Sequence, residues 1–529
     1  MPLACFSFTI LALLAFACGG DGQPTSTPTL SPGTPAADLS PGNDVCAEDL
    51  TRDRADTVIF GAQAMDFLAD RFSLASGDFN GDGFADVLLG APLADGPDDD
   101  RSNAGEAYVI FGGPSPPAEI DLAERSADLT LFGKAEGDNF GFTVASGDVN
   151  GDGIDDLLVG ARFATNGGRV NVGEAYAVYG RSDLADTVDI AQDQPDLTIV
   201  GEDSGDFWGI ALAAGDVNGD DIDDIILGAS SAAGPDNQRV GAGAVGVILG
   251  APDLTRTIDL AQQPPHFTVH GARAGDSLPN HMATGDLDGD GRDELLLGDP
   301  MADRGDPARE EPGAAYIVDV PDAPSSLDLS AAEGFTSING ADQRDGLGFF
   351  VAAGDVNADG IEDAIIGTRD ADGAGNGRNN AGEVHVLFGS PDLHPSVDLA
   401  TAALDAVIYG ADINDSLGFS VATGDLQGDG VQDVLAGAPV ADSCLNNRPD
   451  GGELYAVGGP GLQGELDLAQ GGFQRLLLGG EEGDELGFSL AAGDVNGDGK
   501  DDILAGALLA DGPDNAREDA GEAYIILSR

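Results

Sequence analysis

Asp78-Phe79-Asn80-Gly81-Asp82-Gly83-Phe84-Ala85-Asp86 is one of seven copies of a nine-residue acidic loop, and its reading organises the whole chain. The other copies begin at Asp148, Asp216, Asp286, Asp355, Asp425 and Asp494, so successive starts lie 70, 68, 70, 69, 70 and 69 residues apart. Oxygen-bearing side chains at positions 1, 3, 5 and 9, with a small residue at position 6 for a sharp turn, let one short segment wrap a hard cation such as Ca2+. The candidate metal ligands are therefore Asp78, Asn80, Asp82 and Asp86; Asp148, Asn150, Asp152 and Asp156; Asp216, Asn218, Asp220 and Asp224; Asp286, Asp288, Asp290 and Glu294; Asp355, Asn357, Asp359 and Asp363; Asp425, Gln427, Asp429 and Asp433; and Asp494, Asn496, Asp498 and Asp502. A plain Asn/Asp/Gly turn needs no metal, but it does not require carboxylates at positions 1, 5 and 9 in every copy. Up to seven Ca2+ ions are expected. Loop 3 carries Asp221 at the glycine position, and loop 6, with the longer Gln427 at position 3, is the weakest of the set.

None of these loops is an EF-hand, which needs a bidentate Glu at position 12; that position holds Leu89, Val159, Leu227, Leu297, Ile366, Ala436 and Ala505. Each loop instead runs into an apolar stretch closing on Gly, such as Val87-Leu88-Leu89-Gly90, which reads as a buried strand. In repeat 2 four strands can be traced, over residues 142–145, 157–159, 175–178 and 197–200. Repeats this long made only of strands predict the blades of an all-β, seven-bladed β-propeller. The last repeat stops after its third strand, at residues 523–527, while an orphan strand, Thr57-Val58-Ile59-Phe60, precedes repeat 1. The N-terminal strand is expected to complete the last blade and close the ring, leaving no open sheet edge.

Phe140-Gly141 before loop 2, Gly90-Ala91-Pro92 after loop 1 and Gly437-Ala438-Pro439 after loop 6 resemble the FG-GAP repeats of the integrin alpha-subunit head, a seven-bladed propeller. The resemblance covers residues 52–529. It implies calcium at the seven loops on the lower face and partner binding on the upper. Repeat 4 departs from the pattern, with Leu278-Pro279 for Phe-Gly and Gly298-Asp299-Pro300 for Gly-Ala-Pro.

Lys plus Arg number 23 against 94 Asp plus Glu, a formal net charge of −71. Seven Ca2+ ions, at +14, would leave about −57. That excess excludes nucleic acid as a partner and opposes attraction to anionic membranes. Residues 1–17 resemble a bacterial lipoprotein signal ending at Cys18, although the usual basic start is missing. A lipid on Cys18 would be the sole membrane contact, placing the protein at a bacterial cell envelope or surface; ordinary secretion is the alternative. Residues 18–51, with Pro24-Thr25-Ser26-Thr27-Pro28-Thr29, read as a flexible tether. Cys46 and Cys444 remain as a pair that could staple the ring closure in an oxidising compartment, or stay as two thiols.

Arg101, Arg169, Arg239, Arg309, Arg378, Arg448 and Arg517 each lie four residues before the Gly that opens the third strand, on the face opposite the acidic loops. Salt bridges to the aspartates ten residues before the loops, Asp138, Asp206, Asp276, Asp345, Asp415 and Asp484, would stitch the ring. The other reading is a ring of arginines receiving an acidic or sugar ligand. Five histidines give little catalytic signal: His266 and His270, spaced i, i+4, would stand about 13 Å apart on a strand. The chain is read as a monomeric, non-catalytic calcium-binding propeller whose upper face binds a protein or glycan. The alternatives are a calcium-dependent carbohydrate-active enzyme, with blade 4 as its place, and a purely structural envelope lipoprotein.

Overall fold

The computed structural model describes residues 49–50, 55–124, 127–303, 309–331, 333–393, 396–443, 448–459 and 461–529. The lipoprotein-type signal, Cys18, almost all of the tether, both members of the Cys46–Cys444 pair and His394 lie outside the described residues. The described chain is all-β and forms seven sheets, the blades of a β-propeller. Blade 2 has strands Phe140–Gly147, Asp156–Ala161, Glu174–Val178 and Leu197–Val200, antiparallel and hydrogen-bonded in that order. These contain the four strands expected from the sequence.

The second strand of each blade is buried along its whole length because it faces a blade on both sides. Leu88 packs with Leu157 and Val159 of blade 2, while Val87 and Leu89 pack with Leu504 and Ile525 of blade 7. Successive side chains of a strand point to opposite faces, so an unbroken apolar run supplies two interfaces at once. Each fully buried Leu or Val contributes on the order of 1.5–3 kcal/mol. The core therefore lies between blades, repeated around the ring.

Gly90 of one blade and Gly141 of the next explain the paired glycine motifs. A Cβ on Gly90 would stand 2.0 Å from the Gly141 carbonyl oxygen, so the backbones of adjacent blades can meet only if the first has no side chain. In blade 4 Pro279 occupies the place of the second glycine and presses on Gly228.

Closure follows the expected route. Thr57–Phe60 pairs antiparallel with Glu522–Ile526 as the fourth strand of blade 7. The four-strand expectation omitted one element, a short fifth strand that each repeat lays parallel on the outer edge of the preceding blade. Thr187–Asp189 of repeat 2 pairs with Leu129–Phe132 of blade 1, and Glu119–Asp121 of repeat 1 pairs with Thr57–Phe60 of blade 7. At blade 6 this role falls to Asp49, which bridges in parallel to Leu478.

The fifth strand overturns the expected arginine partners. Arg101 pairs with Asp189 through two contacts of 2.8 and 2.9 Å, Arg169 with Asp259 at 2.9 Å, Arg239 with Asp328 at 2.7 Å, and Arg309 with Asp398 at 2.7 Å. Arg378 pairs with Asp467 at 2.7 Å, Arg448 with Asp49 at 2.5 Å and Arg517 with Asp121 at 2.5 Å. Each partner ends or replaces a fifth strand and precedes Leu or Ile. The guanidinium reaches outward over the end of the fourth strand, as where Arg101 donates to the Gly133 carbonyl at 2.5 Å. It does not turn to Asp138 or its equivalents. These pairs fasten every repeat onto the blade before it, which answers the register structurally.

Candidate metal centres

The acidic loops join first to second strands, so all seven emerge on one face. The position-1 carboxylate folds back over its own loop. Asp148 Oδ1 accepts from the amides of Gly151 and Asp152 at 2.7 and 3.0 Å, and Oδ2 accepts from Gly153 at 2.7 Å. Asp78, Asp216, Asp355 and Asp494 repeat this arrangement. In loop 3 Asp221 takes φ 66°, the left-handed conformation that glycine supplies elsewhere.

Position 9 opens the second strand and is buried. Asp156 accepts from the amides of Val149 at 3.1 Å and Gly180 at 2.8 Å, tying the loop to the second residue after the third strand. Asn150 Nδ2 lies 3.0 Å from both Asp156 oxygens, and Asn218 and Asn357 make the same contact with Asp224 and Asp363. Gln427 is long enough to do so too, at 2.6 Å from Asp433. Burial first, then repulsion from positions 1 and 5, pushes Asp86, Asp156, Asp224 and Asp363 up to about 7 and Asp502 to about 6. Glu294 reaches about 8.

Loop 4 brings its ligands closest. Carboxylate oxygens of Asp286, Asp288 and Glu294 lie within 4.8 Å of one another, and Asp286 Oδ1 is buried without a hydrogen-bond partner. Position 3 is Asp only in this loop. Asp290, at position 5, stands outside the group and accepts from the Arg292 amide at 3.0 Å. An all-oxygen donor set with an orphaned buried acceptor suits a hard divalent cation.

Position 8 was missed in the sequence reading. Asp155 Oδ2 accepts from the Asp78 amide at 2.9 Å, Asp223 from Asp148 at 2.9 Å and Asp501 from Asp425 at 2.8 Å. In the reverse direction the position-8 amide donates to the position-1 carbonyl of the preceding loop, from Asp155 to Asp78 at 3.2 Å and around the ring to Ala85 and Asp494 at 3.0 Å. Neighbouring loops are thus chained head to tail. The signal was the acidic or amide residue immediately before position 9 in six copies; Ala85 is the exception.

On the opposite face the aspartates ten residues before the loops are buried or half-buried beside other acids. Asp415 is pushed up to about 7, chiefly by burial and then by Glu453, and Asp484 likewise with Glu522. Blade 4 moves this carboxylate across the ladder: Asp299 pairs with Ala314 where Ala91 pairs with Glu106 in blade 1. His281, the blade 4 histidine, is half-buried and stacks on Phe350, ring centroids 3.7 Å apart, and accepts from the Val351 amide at 3.4 Å. Burial depresses it to about 3, so it is a neutral packing residue.

Fold and loops together define an FG-GAP repeat β-propeller. The FG-GAP repeat family matches six segments, residues 72–110, 140–179, 208–248, 279–318, 417–457 and 486–526. It passes over blade 5, where Thr368-Arg369 replaces Ala-Pro. The chain is similar to phosphatidylinositol-glycan-specific phospholipase D of Dictyostelium discoideum, 25% identical over 409 residues, 74% of this chain and 42% of that protein. The human phospholipase of that name is 30% identical over 202 residues, 38% of this chain and 23% of its own length. Integrin alpha pat-2 of Caenorhabditis elegans is 30% identical over 250 residues, 45% of this chain and 18% of that protein. The chain thus spans less than half the length of each of these relatives. Among solved structures, the exotype rhamnogalacturonan lyase YesX is similar at a TM-score of 0.39 and 11% identity, over 87% of this chain and 72% of that one, too distant to bear on function.

Proposed function

We propose that the chain is a non-catalytic calcium-binding propeller that presents its opposite face to a protein or glycan partner at a bacterial cell surface. The observation that carries this reading is the division of labour between faces. The loop face repeats one arrangement seven times, a buried carboxylate at position 9 close to the acids of positions 1 and 5, with adjacent loops chained through position 8. Divalent cations there would neutralise that repulsion and lock neighbouring blades together. Asp148, Asp152, Asp156 and their equivalents would hold the ion, with the position-3 amide turned to offer its oxygen. On the other face the Asp70-Arg71 insertion, Arg162 and Arg369 interrupt the repeat, as expected of a surface that recognises something.

The test is a screen of glycans and surface proteins against the intact protein, with and without calcium, run beside assays for polysaccharide and glycosyl-phosphatidylinositol cleavage. Calcium-dependent capture without turnover supports the reading. Turnover of any of these substrates would replace it with the enzyme alternative.

A further inference from the structure

Three arginines on the upper face break the seven-fold repeat around the propeller axis. Blade 1 has eleven residues between Asp66 and Asp78 where blade 2 has nine between Asp138 and Asp148, and the extra pair is Asp70-Arg71. Arg162 and Arg369 stand where blades 1 and 6 carry the Pro of Gly-Ala-Pro. All three sit on aromatic rings. Arg162 lies 3.6 Å from the Phe142 centroid, Arg369 lies 3.9 Å from Phe349, and Arg71 lies 5.4 Å from Phe72 and 6.0 Å from Phe349. Arg71 and Phe72, with His281 and Phe350, line a central channel of about 380 Å³.

Their charge is incompletely matched. Burial lowers the Arg71 and Arg162 guanidiniums, and each is further opposed by another arginine, Arg71 by Arg369 and Arg162 by Arg71. Asp70 is the acid that supports both, and Asp370 meets Arg369 at 3.1 Å. Three cations thus share two carboxylates in a chain of 23 basic and 94 acidic residues. Arg71 Nε and Arg162 Nε are buried with no hydrogen-bond partner, and among the described residues neither side chain closes a salt bridge. The three side chains are nonetheless only partly covered. Stacking on an aromatic face occupies the flat side of a guanidinium and leaves its N–H edge for an acceptor.

Two of the upper-face aspartates adjoin the trio. The Phe163 amide, beside Arg162, donates to the Asp138 carbonyl at 3.2 Å, and the Asp370 amide, beside Arg369, donates to the Asp345 carbonyl at 3.3 Å. A uniformly anionic chain would be repelled by this outer ring, whereas one anion flanked by cations would complement both zones.

We propose that Arg71, Arg162 and Arg369 form a carboxylate-binding site at the centre of the upper face, and that its ligand is a protein segment bearing an Asp or Glu flanked by basic residues. This rests on the binding reading above and names the site and the chemistry. Bidentate contact from two of the arginines would hold the carboxylate.

The probe is the blocked peptide Ac-Lys-Ser-Glu-Ser-Lys-NH2, titrated by calorimetry into the full calcium-loaded protein in parallel with its Gln analogue and with oligogalacturonate. The Glu peptide should bind at least tenfold more tightly than the Gln peptide. Arg162→Gln and Arg369→Gln should each cost about tenfold in that affinity without loss of the calcium-dependent melting transition. Arg162→Lys, which keeps the charge, should recover part of the loss if Arg162→Gln disturbs folding. Tighter binding of oligogalacturonate would overturn the protein ligand in favour of an acidic glycan. Equal binding of both peptides, or a melting defect in every arginine variant with affinity unchanged, would overturn the site. A partner recovered in the wider screen and bound equally by these variants would do the same while leaving the binding function standing.

Discussion

Arg448 and Asp49 meet at 2.5 Å although 399 residues separate them in sequence. Arg448 belongs to blade 6, and Asp49, just upstream of the closing strand, stands in for the fifth strand that every other blade receives from the repeat following it. The ring is therefore closed at two points, by Thr57–Phe60 in blade 7 and by Asp49 on blade 6.

Asp49→Ala should remove a hydrogen-bonded ion pair whose two side chains are mostly buried, at a cost of about 1.5–3 kcal/mol read by denaturant unfolding. Deleting residues 52–61 should expose the edge of Glu522–Ile526 and cause aggregation, whereas deleting residues 19–44 should leave the protein soluble. Equal solubility of the two deletions would contradict ring closure.

The other six pairs make the same point within the chain. Arg378→Gln should strand Asp467 and lower stability by a similar amount, and a double-mutant cycle of Arg378 with Asp467 should show coupling that a cycle of Arg378 with Asp415 lacks. Coupling to Asp415 instead would restore the partner assignment expected from sequence.

Sequence legibility divided along physical lines. The long strands were legible because burial on both faces demands unbroken apolar runs such as Ile225-Ile226-Leu227, and the loops because their acidic pattern recurs at a near-constant interval. The fifth strand was not, since Glu119–Asp121 has three residues and one buried side chain, too little periodicity to register. Its one marker is an Asp followed by Leu or Ile, seen at Asp49, Asp121, Asp189 and Asp259. The position-8 contacts and the Asp70-Arg71 insertion were equally visible as deviations from the repeat, but their meaning depends on which blades become neighbours.

Asp155→Ala removes the acceptor for the Asp78 amide while sparing every candidate ligand of loop 2. It should cost about 0.5–1.5 kcal/mol and weaken calcium at loop 1 more than at loop 2. Calorimetric titration of the variant would show this as the loss of one class of sites. Unchanged titration would mean that position 8 is only a turn residue.

Stability of the metal-free protein should fall as pH rises. Asp345, Asp415, Asp484 and Glu453 are pushed up to about 7, burial being the main cause. An acid with a higher pKa folded than unfolded favours folding while protonated. That contribution is complete below about pH 4, the unfolded value, and is lost as pH climbs through 7. In EDTA the melting temperature should therefore be higher at pH 5 than at pH 8, and a rise over that interval would contradict the assignment of these acids as desolvated and without a cationic partner.

Calorimetric melting of the intact protein at pH 7.5, in EDTA and again in excess calcium, tests the central claim most directly. A ligand at about 100 times its Kd stabilises the folded state by roughly 2.7 kcal/mol per site, so several of the seven loops acting together should separate the two transitions by many degrees. A steep rise in melting temperature with calcium, reversed by chelation, is the predicted result. Superimposable curves would contradict a calcium-held ring.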